Sequence, residues 1–130
     1  MKEYLDSWKR AFDFSGRSRR REFWIPLIIN ILIYCIMLCL LSATEAFSTR
    51  SSSSGDIIFK IFWVYYLLYI IPLLSLIIRR LHDMGKSGWW YFISLIPLVG
   101  TILLIIYLST DSVSYDNEYG ISPKYSASLL

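Results

Sequence analysis

Three long stretches of this 130-residue sequence contain no charged residue. They cover residues 23–44, 61–78 and 87–110, about half of the chain. A soluble domain interleaves polar and apolar residues so that one face of each helix or strand stays in water. These stretches have no such face, and apolar residues make up 55% of the sequence. The pattern excludes an ordinary soluble domain, a disordered chain and a secreted disulfide-stabilised scaffold.

A membrane-spanning helix needs about 20 apolar residues to cross a hydrocarbon core roughly 30 Å thick. The first and third stretches are long enough, and the second, which is slightly short, becomes so when residues 57–60 are included, with the Lys60 ammonium reaching the interface. The runs are continuously apolar, whereas the strands of a membrane barrel alternate apolar and polar residues, so a barrel is excluded. Backbone amides in the hydrocarbon core need hydrogen-bond partners within the same segment, so each span should be a helix. We therefore predict an all-α integral membrane protein, one membrane domain with three transmembrane helices at about 23–44, 57–78 and 88–109. Pro97 and Gly100 leave an alternative open, in which residues 87–110 form a re-entrant hairpin.

The two ends of the chain are polar. Residues 3–13 place Leu5, Trp8 and Phe12 at helical spacing among charged residues, which predicts a short amphipathic helix lying in the membrane interface. Residues 111–130 form a polar tail. Lys and Arg number seven before the first span, two in the first loop, three in the second and one in the tail. By the positive-inside rule, this pattern predicts a cytoplasmic N-terminus and an outside tail.

Basic residues concentrate at two corners of the chain, before the first span and after the second. They are Arg17, Arg19, Arg20, Arg21, Arg79, Arg80 and Lys86. In the predicted topology both corners face the cytoplasm. Basic residues beside a span attract anionic lipid by about 1 kcal/mol each. We predict that this cluster contacts anionic lipid headgroups or a membrane partner.

Four other polar residues are predicted to have structural roles. Glu22 and Asp83 are expected to pair with neighbouring arginines, and Asp83 shares a helix face with Arg79, four residues before it. Asn30 lies deep in the first span, where its amide needs a partner on another helix. His82 is expected to belong to a structural turn, although its position beside Asp83 leaves an acid–base pair open.

The sequence predicts no catalytic, cofactor-binding or metal-binding residue and no nucleic-acid partner. Residues 85–87 read GKS, like the end of a phosphate-binding loop, but Arg80 stands where the first glycine of that loop belongs. The three uncharged stretches hold no carboxylate for a proton relay or an ion site, which argues against an ion-coupled transporter.

Three segments carry a resemblance. Residues 14–24, FSGRSRRREFW, resemble the F-x-G-R-x-x-R-x-E-[FY]-W opening of the domain of unknown function 805 (DUF805) family of small bacterial inner-membrane proteins, often called YhaH-like. Residues 79–90, RRLHDMGKSGWW, are similar to its R-R-L-H-D-x-G-[RK]-S-G-W-W signature, and residues 117–123, NEYGISP, to its N-x-Y-G-x-x-P tail. The resemblance implies a multi-pass protein of the bacterial inner membrane and supplies no activity, cofactor or catalytic residue.

Three functions are compatible with these patterns. The leading hypothesis is a non-enzymatic membrane module that works through its arginine cluster. The second is a subunit of a channel or transporter, which requires a homo-oligomer or another membrane protein because three helices enclose little volume. The third is a small membrane enzyme acting on lipid headgroups, with His82 and Asp83 as the acid–base pair.

Overall fold

The computed structural model describes residues 1–47 and 53–123, so residues 124–130 of the polar tail lie outside the described part. Its elements are α1 (Lys2–Lys9), α2 (Arg20–Phe47), α3 (Ser53–Asp83), a 3-10 helix (Gly88–Leu95) and α4 (Val99–Ser109). The described residues form no strand, only an isolated bridge between Asn117 and Gly120. The all-α prediction is confirmed.

Two of these helices are long and apolar enough to cross a membrane. Arg20–Ala43 and Asp56–Asp83 have mean hydropathies of 2.5 and 2.3. Only 11% and 28% of their most apolar windows are buried, so most of these side chains face outward. A core helix of a soluble protein would bury most of such a surface, whereas lipid covers it without cost.

The third predicted span is not one helix. Residues 88–109 are divided between the 3-10 helix and the 11-residue α4, each about 16 Å long, or half the hydrocarbon thickness. Between them the Val99 N–H donates to the Pro97 carbonyl at 2.7 Å, and Leu98 has a φ of 62°. Proline ends a helix, and this γ-turn reverses the chain. The three-span count is therefore not confirmed, and the arrangement agrees with the hairpin alternative.

Close packing joins the two arms of this hairpin. A Cβ placed on Gly100 would lie 1.7 Å from the Ile93 carbonyl oxygen. Only glycine therefore lets the start of α4 approach the backbone of the 3-10 helix. Leu104 and Leu108 of α4 complete a small core with Leu76 and Leu81 of α3.

The N-terminal segment is fixed to α3. Helix α1 is shorter than the predicted 3–13, and its Trp8 ring lies 5.9 Å from that of Tyr69. The Ser75 hydroxyl donates to the carbonyls of Arg10 and Asp13, at 3.0 and 2.6 Å. These contacts bring the residues before α2 to the C-terminal end of α3.

Candidate functional site

The C-terminal end of α3 forms the centre of the site. Gly85 adopts a φ of 67°, its N–H donates to the His82 carbonyl, and the Lys86 N–H donates to the Leu81 carbonyl. This is a Schellman motif, which ends the helix and satisfies its last carbonyls. It leaves Asp83 in the final helical turn, where the helix dipole disfavours a negative charge.

Two arginines neutralise Asp83 in a fully buried cluster. Arg17 Nε lies 2.9 Å from Asp83 Oδ1, and these side chains are 1% and 0% exposed. Arg80 Nη1 binds the other carboxylate oxygen, Oδ2. Asp83 does pair with arginines, although not with Arg79, which shares its helix face. The bonds come from Arg80, three residues before Asp83 in the same helix, and from Arg17, which lies before α2.

Arg17 holds the C-terminal tail in place. Besides Asp83 Oδ1, its guanidinium donates to the carbonyls of Asp83, Val113, Tyr115 and Gly120, at 3.2, 2.8, 3.0 and 3.1 Å. All five guanidinium N–H groups are thus used. The tail up to residue 123 therefore lies at the same end of the helices as the N-terminal segment. These contacts favour the hairpin alternative for residues 87–110, and the outside tail, which depends on a third complete span, stays a prediction.

Arg80 connects three segments in the same way. It donates to the carbonyls of Leu108 at 3.0 Å and Ser18 at 3.2 Å, and also to that of Thr110. Its side chain is 0% exposed. The lipid contact predicted for Arg17 and Arg80 does not fit this burial. Both arginines stabilise the fold.

The remaining predicted basic residues lie nearer the surface. Arg20 and Arg21 are exposed, and Arg20 Nη2 lies 3.3 Å from Asp111 Oδ1. Arg19 is half-buried and donates to the Pro123 carbonyl. The Lys86 ammonium lies 4.9 Å from the centre of the Trp90 ring, a cation–π contact.

The predicted structural polar residues are all in contact with neighbouring groups. Glu22 Oε2 accepts the Arg19 N–H at 3.3 Å at the start of α2, so a backbone donor replaces the predicted arginine side chain. Asn30 donates to the Pro26 carbonyl at 2.9 Å and accepts from the Tyr65 hydroxyl of α3. The His82 ring stacks on Tyr119 at 3.9 Å.

A polar cavity of about 360 Å³ lies between α1, the start of α2 and the last turns of α3. Its charged lining residues are Lys2, Arg10, Arg19, Arg21 and Arg79 on the basic side and Glu3, Asp6 and Glu22 on the acidic side. The side chain of Arg79 is 2% exposed, and its Nη2 has no hydrogen-bond partner among the described residues. The buried hydroxyl of Ser18, which also lines the cavity, is likewise unpartnered there.

Sequence reasoning brought residues 17–22 and 79–86 together but missed Ser18 and the tail. Ser18 carries no signal of its own between two arginines. For the tail, the NEYGISP segment was a usable signal: the Asn117 side chain donates to the His82 carbonyl at 2.9 Å, and the Gly120 carbonyl accepts from Arg17. Within residues 1–47 and 53–123, no group of three His, Cys, Asp or Glu side chains could hold a metal ion.

Comparisons with known proteins agree on one family. The family described as "Protein of unknown function (DUF805)" matches residues 11–121. The inner membrane protein YhaI of Escherichia coli K12 is 32% identical over 125 residues, covering 96% of this chain and 98% of its own. The inner membrane protein YhaH of the same strain is 32% identical over 121 residues, covering 93% and 95%. The uncharacterized protein YiiR is 35% identical over 92 residues, covering 71% of this chain and 54% of its own.

No solved structure matches the chain. The names of the YhaI and YhaH proteins support a location in the bacterial inner membrane and mention no activity. The family match covers most of the sequence, including all of the buried arginine cluster. The chain belongs to the DUF805 family of unknown function, and its relatives YhaI and YhaH are named as inner membrane proteins.

Proposed function

We propose that this protein is a non-enzymatic module of the inner membrane whose arginine-bearing end binds anionic lipid headgroups on the cytoplasmic side. The observation that carries the proposal is that the arginines at this end form two groups, one buried and one exposed. Arg17 and Arg80 are buried and bonded within the protein, whereas Arg20 and Arg21 are exposed at the start of the apolar helix α2.

The distribution of charge supports the cytoplasmic orientation. Ten of the 13 Lys and Arg residues lie within residues 1–21 or 79–86, and these two segments meet at one end of the helices. The connection between α2 and α3, at the other end, carries only Arg50 and Lys60 at or near it. Such an excess of positive charge faces the cytoplasm in most inner-membrane proteins.

The chemistry of arginine supports the choice of ligand. The planar guanidinium binds two oxygens of a phosphate side by side and keeps its charge at every physiological pH. Arg20 and Arg21 open α2, so both stand at the depth where headgroup phosphates meet the hydrocarbon core. The rigid cluster around Asp83 fixes the position of the backbone that carries them.

The geometry gives little support to an enzyme. A His82–Asp83 acid–base pair needs a hydrogen bond from the imidazole to the carboxylate. The described residues show no such bond, and the two oxygens of Asp83 bind Arg17 and Arg80 instead. His82 is instead covered by the Tyr119 ring.

The test is the lipid that stays with the protein after extraction in a mild detergent. We expect the bound fraction to be enriched in phosphatidylglycerol and cardiolipin relative to the membrane of origin. Arg20→Gln combined with Arg21→Gln should remove most of this enrichment, because each charge contributes about 1 kcal/mol. Lys60→Gln is the matched control, since it removes an exposed charge at the opposite end of α3. Bound lipid with the composition of the whole membrane would refute the proposal.

A further inference from the structure

We propose that the cavity between α1, the start of α2 and α3 is a binding site for one phosphate group, with the Arg79 guanidinium and the Ser18 hydroxyl at its base. The inference rests on the proposed function for the lipid origin of that phosphate. It goes further by naming a single, defined site in place of a diffuse surface attraction.

Arg79 is the first argument. A buried charge is costly unless it is paired, and buried guanidinium groups in proteins ordinarily bind a carboxylate or several carbonyls. Two other buried arginines, Arg17 and Arg80, follow this rule with five and four hydrogen bonds. Arg79 has one long bond, 3.4 Å, to the Ser75 carbonyl of its own helix, and no salt bridge among the described residues. The remaining N–H groups of its guanidinium can therefore donate to a bound ligand.

Ser18 is the second argument. Its side chain is 0% exposed and its hydroxyl lacks a partner in the described part of the chain. Its N–H donates to the Arg79 carbonyl at 3.2 Å, so the two residues are held side by side. Both line the same cavity. Two unsatisfied donors on one wall of a polar cavity match the oxygens of a single oxyanion.

The charges around the cavity favour an anion. Five basic side chains line it against three acidic ones. Arg10 is already neutralised by Asp13, with bonds of 2.9 and 2.8 Å. Hydrogen bonds from Ser15 and Arg10 lower the pKa of Asp13 to about 2, so this pair persists at neutral pH. Lys2, Arg19, Arg21 and Arg79 then face Glu3, Asp6 and Glu22, so the lining keeps a small net positive charge. Glu22 already accepts the Arg19 N–H, whereas the Arg79 guanidinium has no carboxylate partner among the described residues.

The size and location of the cavity fit a headgroup. A volume of about 360 Å³ lies in the usual range for small-molecule sites and exceeds the need of a phosphate alone. One wall is the amphipathic α1, and the other walls are the ends of the two apolar helices. A phospholipid whose tails lie along those helices can place its phosphate there.

The test is native mass spectrometry of the full chain in mild detergent, titrated with phosphatidylglycerol or with diacylglycerol, which has the same tails and no phosphate. We expect one phosphatidylglycerol per chain and no defined binding of diacylglycerol. Arg79→Gln should weaken binding at least about tenfold and Ser18→Ala by a smaller factor, since a hydrogen bond to a charged group contributes more than one between neutral groups. Lys60→Gln should bind like the unaltered protein.

Thermal unfolding shows whether a weakened variant is merely misfolded. Because Arg79 is buried without a partner, Arg79→Gln should unfold at the same or a higher temperature than the unaltered protein when no ligand is present. It should lose the rise in Tm that the ligand causes. A lower Tm without ligand would mean that Arg79 stabilises the fold through contacts of its own, and would overturn the site.

Inorganic phosphate separates the inference from the proposed function. If phosphate alone raises the Tm of the unaltered protein but not of Arg79→Gln, and phosphatidylglycerol does not bind, the phosphate site stands and the lipid function fails. If phosphatidylglycerol binds equally well to the unaltered protein and Arg79→Gln, the lipid function stands and this site fails. If neither compound binds, both fail.

Discussion

Arg17 and Asp83, separated by 65 residues in the chain, form a salt bridge of 2.9 Å from which solvent is excluded on both sides. Asp83 closes α3 and Arg17 precedes α2, so the bond joins the ends of the two apolar helices. Arg17 also binds the tail, because its guanidinium donates to the carbonyls of Val113, Tyr115 and Gly120. The N-terminal segment, the helix end and the tail therefore form one unit, and several predictions about stability and topology depend on it.

Asp83→Asn should destabilise the protein by about 3–5 kcal/mol, because it leaves two buried guanidinium groups without their counter-charge. Thermal unfolding in detergent measures the loss. Glu118→Gln removes the same charge from an exposed position in the tail and should change stability by no more than about 0.5 kcal/mol. Equal effects of the two substitutions would show that Asp83 is not the centre of a buried cluster.

Arg17→Lys should release the tail although the charge is kept. An ammonium has three donors and no planar fork, so it cannot reach Asp83 and the carbonyls of Val113, Tyr115 and Gly120 together. Hydrogen exchange of residues 113–122 should accelerate by about 10- to 100-fold, the result expected for the loss of one or two such bonds. The matched control is Arg21→Lys, which alters an exposed arginine and should leave the exchange of the tail unchanged.

Labelling of single cysteines in sealed vesicles tests which side the tail occupies. In a background with Cys35 and Cys39 replaced, a cysteine at Ser114 should react from the same side as one at Phe12, and one at Asp56 from the other side. All three positions are exposed. A third complete span would instead group Ser114 with Asp56, so this pattern would refute the hairpin.

The sequence was sufficient to predict α2 and α3. A spanning helix needs about 20 predominantly apolar residues, and this requirement applies to the whole segment, so single polar residues do not change the prediction. The same criterion failed for residues 88–109, which are long and apolar enough but contain Pro97. Mean hydropathy depends only on which residues a segment contains. It therefore does not show that a proline and a γ-turn fold this segment back on itself.

The candidate site was predictable only in part. Grouping of the two arginine-rich corners followed from charge counts, but the partner of Asp83 did not. Spacing along a helix pointed to Arg79, while the bonds come from Arg80 and from a residue in another segment. Burial of Arg17 and Arg80 was also unexpected, because arginine is seldom fully buried and no sequence pattern shows which arginine has carbonyls arranged around it.

Gly100→Ala should disrupt the hairpin. Alanine normally favours a helix over glycine by about 1 kcal/mol, so local propensity predicts a gain. Here the added Cβ would lie 1.7 Å from the Ile93 carbonyl, and forcing the arms apart should cost about 1–3 kcal/mol or more. The sign of the change in Tm decides between the two effects. Thr101→Ala, at the next and exposed position of α4, should be close to neutral.

Leu98→Gly should stabilise the hairpin for the opposite reason. Leu98 has a φ of 62° at the tip of the turn, and a residue with a Cβ pays about 1–2 kcal/mol for that conformation while glycine adopts it freely. The side chain is 79% exposed, so little packing within the protein is lost with it. We expect a rise in Tm, and Leu98→Ala, which keeps the Cβ, should give none. If both substitutions lower the Tm, the leucine side chain rather than the backbone of the turn governs stability at this position.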